Sequence, residues 1–74
     1  MEFHERLKEL RQERNLTHEG LAKEIGFSKS IIGYWENGKK QPTLSALLAL
    51  ARFFEVTLDF LAGIENEDGT KVRF

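Results

Sequence analysis

The chain is 74 residues long and 41% apolar, enough for one small core and too short for a second domain. It has no cysteine and no apolar run of about twenty residues, which excludes disulfide staples, cysteine-held metals and a membrane-spanning helix. Eleven basic and twelve acidic residues leave a formal charge of -1, so bulk charge does not announce a nucleic-acid partner, and any such affinity has to come from where the charges lie.

In chain order, the start MEFHERLKEL is charged from its second residue and lacks the apolar stretch of an export signal, so a cytoplasmic protein is expected. Phe3, Leu7, Leu10 and Arg14 recur at helical spacing and predict an amphipathic first helix from residue 2 to about 14. Four further helix starts are marked by hydroxyl caps: Thr17 before HEGLAKEI, Ser28 before KSIIGYWEN, Thr43 before LSALLALARFF and Thr57 before LDFLA. Each hydroxyl can accept from the free amides of the turn that follows. Gly26, Gly38 and Gly63 sit just past periodic segments, where a left-handed residue ends a helix, and Pro42 closes the loop before the fourth. On that fourth helix Leu44, Leu47, Leu50, Ala51 and Phe54 are expected inward and Phe53 outward. The expectation is an all-α domain of five short helices over residues 1–64. A polar tail over 65–74 follows; Asp68-Gly69 is a hairpin signal, but a lone hairpin is marginal, so the tail is disordered or a short strand.

The pair of helices over 18–25 and 29–37 meets the demands of a helix-turn-helix. Ala22 is small where the helices touch, Gly26 makes the turn, and Ile32 and Trp35 give the second helix an inner face, with Leu21 and Ile25 completing that of the first. Residues 3 to about 63 resemble the helix-turn-helix family of the phage lambda repressor and Cro, the XRE family. The resemblance lies at Leu16-Thr17, Leu21-Ala22, Gly26, Ser28, Ile32, Trp35-Glu36, Gly38, Pro42, Leu47 to Ala51 and Leu58-Asp59-Phe60-Leu61. It implies five packed helices with the third in the major groove of double-stranded DNA, a homodimer, and a small transcriptional regulator, most simply a repressor.

At about 100° per residue, setting Ile32 inward carries Trp35 and Glu36 to the same side, with Ile31 beside them. Ser30, Gly33, Tyr34 and Asn37 then face outward, and Lys29 sits in the exposed first turn. Trp35 reads as core rather than a stacking platform. Lys29, Ser30, Gly33 and Tyr34 are the candidate base readers. Lysine can donate to guanine O6 and N7, serine to a base edge or a phosphate, and tyrosine can reach a phosphate or pack on a thymine methyl. Gly33 has two readings: a bare backbone that approaches DNA closely, or an unselected glycine costing about 1 kcal/mol in a helix. Family members often carry a basic residue where this chain has Tyr34.

Phosphate contacts are expected from Thr17, His18, Ser28, Asn37, Lys39 and Lys40. Within residues 28–45 the three lysines Lys29, Lys39 and Lys40 face only Glu36. His18, where the family usually has glutamine, is either a phosphate neutraliser favoured at low pH or a plain exposed histidine. The resemblance pairs Arg11 on the first helix with Glu36 at the end of the third, which reads as architecture rather than chemistry. Phe53, Phe60 and Ile64 are a candidate dimer patch, unless Phe60 is simply packed beneath the chain end; a swapped tail strand through Val72 and Phe74 is a weaker route. Catalysis is not expected, because the two histidines have no triad or metal-ligand spacing, and no cofactor or metal is implied. The rival reading is a protein-binding module on the same fold, such as an antitoxin.

Overall fold

The computed structural model describes residues 1–64. Among these, the chain forms five α-helices: α1 (Phe3–Glu13), α2 (His18–Ile25), α3 (Lys29–Glu36), α4 (Leu44–Phe54) and α5 (Leu58–Ala62). The tail over 65–74, with its hairpin signal and the residues Val72 and Phe74, lies outside the described residues.

All four hydroxyl caps act as expected. Thr17 Oγ1 accepts from the amide of Gly20 at 2.9 Å, Ser28 Oγ from Ile31 at 3.3 Å, Thr43 Oγ1 from Ala46 at 3.2 Å and Thr57 Oγ1 from Phe60 at 3.0 Å. Each satisfies an amide that the first helical turn leaves without an intrahelical partner. Gly26, Gly38 and Gly63 are all left-handed, with φ of 77°, 73° and 85°. At Gly63 a side chain is excluded twice over, because an added Cβ would collide with the Met1 carbonyl.

The core is built from Leu7 and Leu10 of α1, Leu21 and Ala22 of α2, Ile32 and Trp35 of α3, Ala46, Leu50, Ala51 and Phe54 of α4, and Leu61 of α5. α3 packs against α1 and α2, while α4 closes on α2 and α5. One expected core residue is misplaced: Leu44 is 65% exposed, and Ala46 takes its place inside. At about 100° per residue Leu44 lies roughly 120° from Leu50, on the edge of the stripe rather than in it. A charge goes the other way. Arg6 is 2% exposed, with its guanidinium 3.8 Å from the centroid of Phe60 and 3.6 Å from a Glu9 carboxylate oxygen, so it ties α1 to α5 through its flat face and long stem.

The residues of the expected apolar patch are partly covered. Phe53, Phe60 and Ile64 are all half-buried. Phe53 packs edge-on against Phe54 at 5.0 Å with the Arg14 guanidinium 5.0 Å above it, and Arg6 covers Phe60. Arg14, placed by periodicity on the inner stripe, is instead an exposed cap residue that shields aromatic surface.

Candidate nucleic-acid interface

Burial fixes which way α3 faces. Ile32 is fully buried and Trp35 is 2% exposed, with Phe27 of the turn against Trp35 at 5.4 Å in an edge-to-face contact. Ile31 is half-buried on the flank. The opposite side of the helix therefore carries Lys29, Ser30 and Tyr34 into solvent, with Asn37 just beyond the helix end, all exposed.

Rotation of α3 is locked again at its C-terminus by Glu36. Arg11 donates to it twice, Nε to Oε2 at 2.7 Å and Nη2 to Oε1 at 2.9 Å, while Arg11 Nη1 donates to the Leu16 carbonyl at 2.7 Å. With side chains only 12% and 5% exposed, this forked pair is shielded from water and joins α1, the α1–α2 loop and α3 at one point. The hydrogen bond to Glu36 holds the Arg11 pKa above its usual value, against the opposing effect of burial.

A third partner was not foreseen. His18 Nε2 donates to the same Glu36 Oε1 at 3.2 Å, although the imidazole is 40% exposed. The other edge of that ring lies over Gly33, where an added Cβ would sit 3.8 Å from His18 Cε1 and Nδ1. Gly33 is thus half-buried rather than bare: part of the space outside its Cα belongs to His18 of α2. Sequence spacing has no signal for this, since the two residues meet only through the packing of α2 on α3.

Around His18 is an open depression lined by Arg11, Thr17, His18, Glu19 and Lys29. It brings together the N-terminus of α2, whose amides and dipole favour an anion, and a lysine from the first turn of α3. The hydroxyls of Thr17 and Ser28 accept from backbone amides but keep a proton to donate. After α3 the loop turns back through left-handed Gly38, the amide of Lys39 donates to the Tyr34 carbonyl at 2.9 Å, and Lys39 and Lys40 are exposed beside the helix end. Of the two, Lys40 bends inward, its ammonium 5.0 Å from the centroid of the Tyr34 ring. Thr17, His18, Ser28, Lys29, Ser30, Tyr34, Asn37, Lys39 and Lys40 thus sit on the exposed ends and outer side of the α2–α3 pair. Among the described residues no group of three or more His, Asp or Glu side chains could hold a metal ion, and no helix is long and apolar enough to cross a membrane.

Comparison with known proteins agrees with this geometry. The helix-turn-helix family model matches residues 7–61. The chain is 44% identical over 66 residues to the HTH-type transcriptional activator BcrR of Enterococcus faecalis, covering 89% of this chain and 32% of that protein. It is 40% identical over 69 residues to the uncharacterized HTH-type transcriptional regulator YobD of Bacillus subtilis, covering 93% of this chain and 62% of that one. The chain therefore spans less than two thirds of the length of either relative. Among solved structures it is similar to the P22 c2 repressor in complex with a synthetic operator, with a TM-score of 0.78 and 28% identity over 82% of this chain and 92% of that one.

Proposed function

The chain belongs to the XRE-type helix-turn-helix family of transcriptional regulators, and from that premise we propose that it binds double-stranded DNA sequence-specifically, with α3 in the major groove. The observation that carries this reading is the division of α3 into a locked inner side, Ile32, Trp35 and Glu36, and a free outer side, Lys29, Ser30 and Tyr34. Lys29, Ser30 and Tyr34 meet base edges, while Gly33 leaves room beside them for the His18 ring of α2. Thr17, His18, Ser28, Asn37 and Lys39 hold phosphates on either side, and these contacts set register without reading sequence. A net charge of -1 is compatible with this, because Lys29 and Lys39 flank the groove-facing helix while the carboxylate of Glu36 is spent on Arg11 and His18. The protein acts in the cytoplasm as a non-enzymatic regulator and binds as a homodimer. The relatives and the operator-bound repressor favour this over a protein-binding module.

Selection of bound DNA from a random pool tests the reading. We expect a two-fold motif with half-sites about one helical turn apart, altered by Lys29→Ala, and affinity that falls steeply with salt. Failure to enrich any motif at any salt concentration would overturn it.

A further inference from the structure

Tyr34 is the largest exposed side chain on the outer side of α3, and the chain after the helix folds back onto it. Gly38 reverses the backbone, the amides of Lys39 and Lys40 both point to the Tyr34 carbonyl at 2.9 and 3.4 Å, and the Lys40 ammonium comes to 5.0 Å from the ring centroid. Ile32, two residues before Tyr34, is fully buried, and Trp35, the next residue, is buried against Phe27, so the backbone that carries Tyr34 is held on both sides of its α-carbon. Lys39, one residue earlier in the loop, has no such platform among the described contacts.

We propose that Lys40 reads a base edge rather than a phosphate, with Tyr34 as the positioning residue that holds its ammonium at the outer face of α3. This rests on the DNA-binding reading above. A lysine on a free loop is a mobile point charge and goes to the most negative groups within reach, which are phosphates. Attraction to the negative face of an aromatic ring draws the ammonium off the backbone track and into line with the helix side chains that enter the groove. The ring occupies one side of the ammonium, and the N–H groups on the other side remain free to donate. Two adjacent acceptors, O6 and N7, make guanine the matching edge, whereas adenine presents a donor beside its N7.

Two measurements test this. In the free protein, the Lys40 ε-methylene protons should be shifted upfield by the ring current in the NMR spectrum, with the shift kept in Tyr34→Phe and lost in Tyr34→Leu. Unshifted protons in the unaltered protein overturn the proposal without reference to DNA. In selection from a random pool, Lys40→Ala should lower the preference for guanine at one position of each half-site by at least about fivefold. Tyr34→Leu should lose the same preference, Tyr34→Phe should keep it, and adding Lys40→Ala to Tyr34→Leu should cost no more at that position. Lys39→Ala should weaken all sites evenly and reduce the salt slope by about one. If Lys40→Ala instead behaves like Lys39→Ala, with the motif unchanged, Lys40 is a phosphate contact and the inference fails while the DNA-binding reading stands. If the unaltered protein selects no motif, that reading fails and takes this one with it.

Discussion

The α2–α3 and α4–α5 connections share one geometry built from different residues. α2 ends at Gly26 with φ 77°, followed by Phe27 and the cap Ser28; α4 ends at Glu55 with φ 57°, followed by Val56 and the cap Thr57. In both, the residue after the left-handed one donates back five positions, Phe27 to Ala22 and Val56 to Ala51, each at 3.0 Å. Only the first has a glycine. An added Cβ at Gly26 would meet nothing within 4 Å, so glycine is there for its backbone alone. Glu55 accepts the same conformation with a side chain attached, at a cost of about 1 kcal/mol, held by buried Phe54 on one side and Leu61 on the other. The lesson is that the turn leading into α3 is relaxed, whereas the turn leading into α5 tolerates strain.

The two units also differ in how they are fastened. Arg11 and Glu36 pin α3 through a shielded, two-pronged ion pair, while α5 is held by apolar packing and by Arg6 lying on Phe60. The largest effect should therefore come from Arg11→Ala or Glu36→Ala, each leaving a mostly buried charge behind and costing about 3 kcal/mol in urea or thermal unfolding. Arg11→Lys should recover only part, because lysine lacks the fork. Arg14→Ala, removing an exposed cation from above Phe53, should cost less than about 1 kcal/mol. A loss below about 1 kcal/mol for Arg11→Ala would make its pair an ordinary surface contact and erase the distinction between the units.

Next in size are the turns themselves, where equivalent changes should have opposite signs. Gly26→Ala should destabilise by about 1–2 kcal/mol through backbone strain alone. Glu55→Gly should stabilise by about 0.5–1 kcal/mol, the relief of strain being partly offset by a freer unfolded chain. Equal signs in equilibrium unfolding would mean that the shared geometry does not govern either turn.

These turns also explain which parts of the fold were legible in the sequence. Hydroxyl caps and glycines are local signals, and they located α2, α3 and α5 closely because the chemistry that starts or ends each helix lies within four residues of the boundary. The end of α4 carries no glycine, so its left-handed Glu55 was invisible, and only tertiary burial sustains it. Leu44 was misjudged, and Arg6 passed over, for a related reason: hydropathy ranks residue types, but a position at the edge of a stripe decides exposure, and a guanidinium can be buried if an aromatic face receives it. In the candidate site, the Arg11–Glu36 pair and the outward set on α3 followed from periodicity and resemblance. The contacts of His18 with Glu36 and of Lys40 with Tyr34 did not, because each joins two elements whose relative placement no local pattern encodes.

The smallest expected effect concerns His18, which lies at the start of the relaxed unit. Its Nε2–H donates to Glu36 at 3.2 Å and the other edge of the ring lies beside Gly33, so the side chain joins α2 to α3 while lining the depression formed with Thr17 and Lys29. The Glu36 carboxylate is already matched by Arg11, so His18 adds a positional link rather than the main charge balance. His18→Ala should cost about 0.5 kcal/mol in equilibrium unfolding, because a half-exposed hydrogen bond is lost while Arg11 keeps Glu36 paired. His18→Gln should cost less than that, since glutamine keeps a donor for Glu36. A loss in His18→Gln as large as in His18→Ala would mean that the packing of the ring on Gly33, and not the hydrogen bond, links α2 to α3.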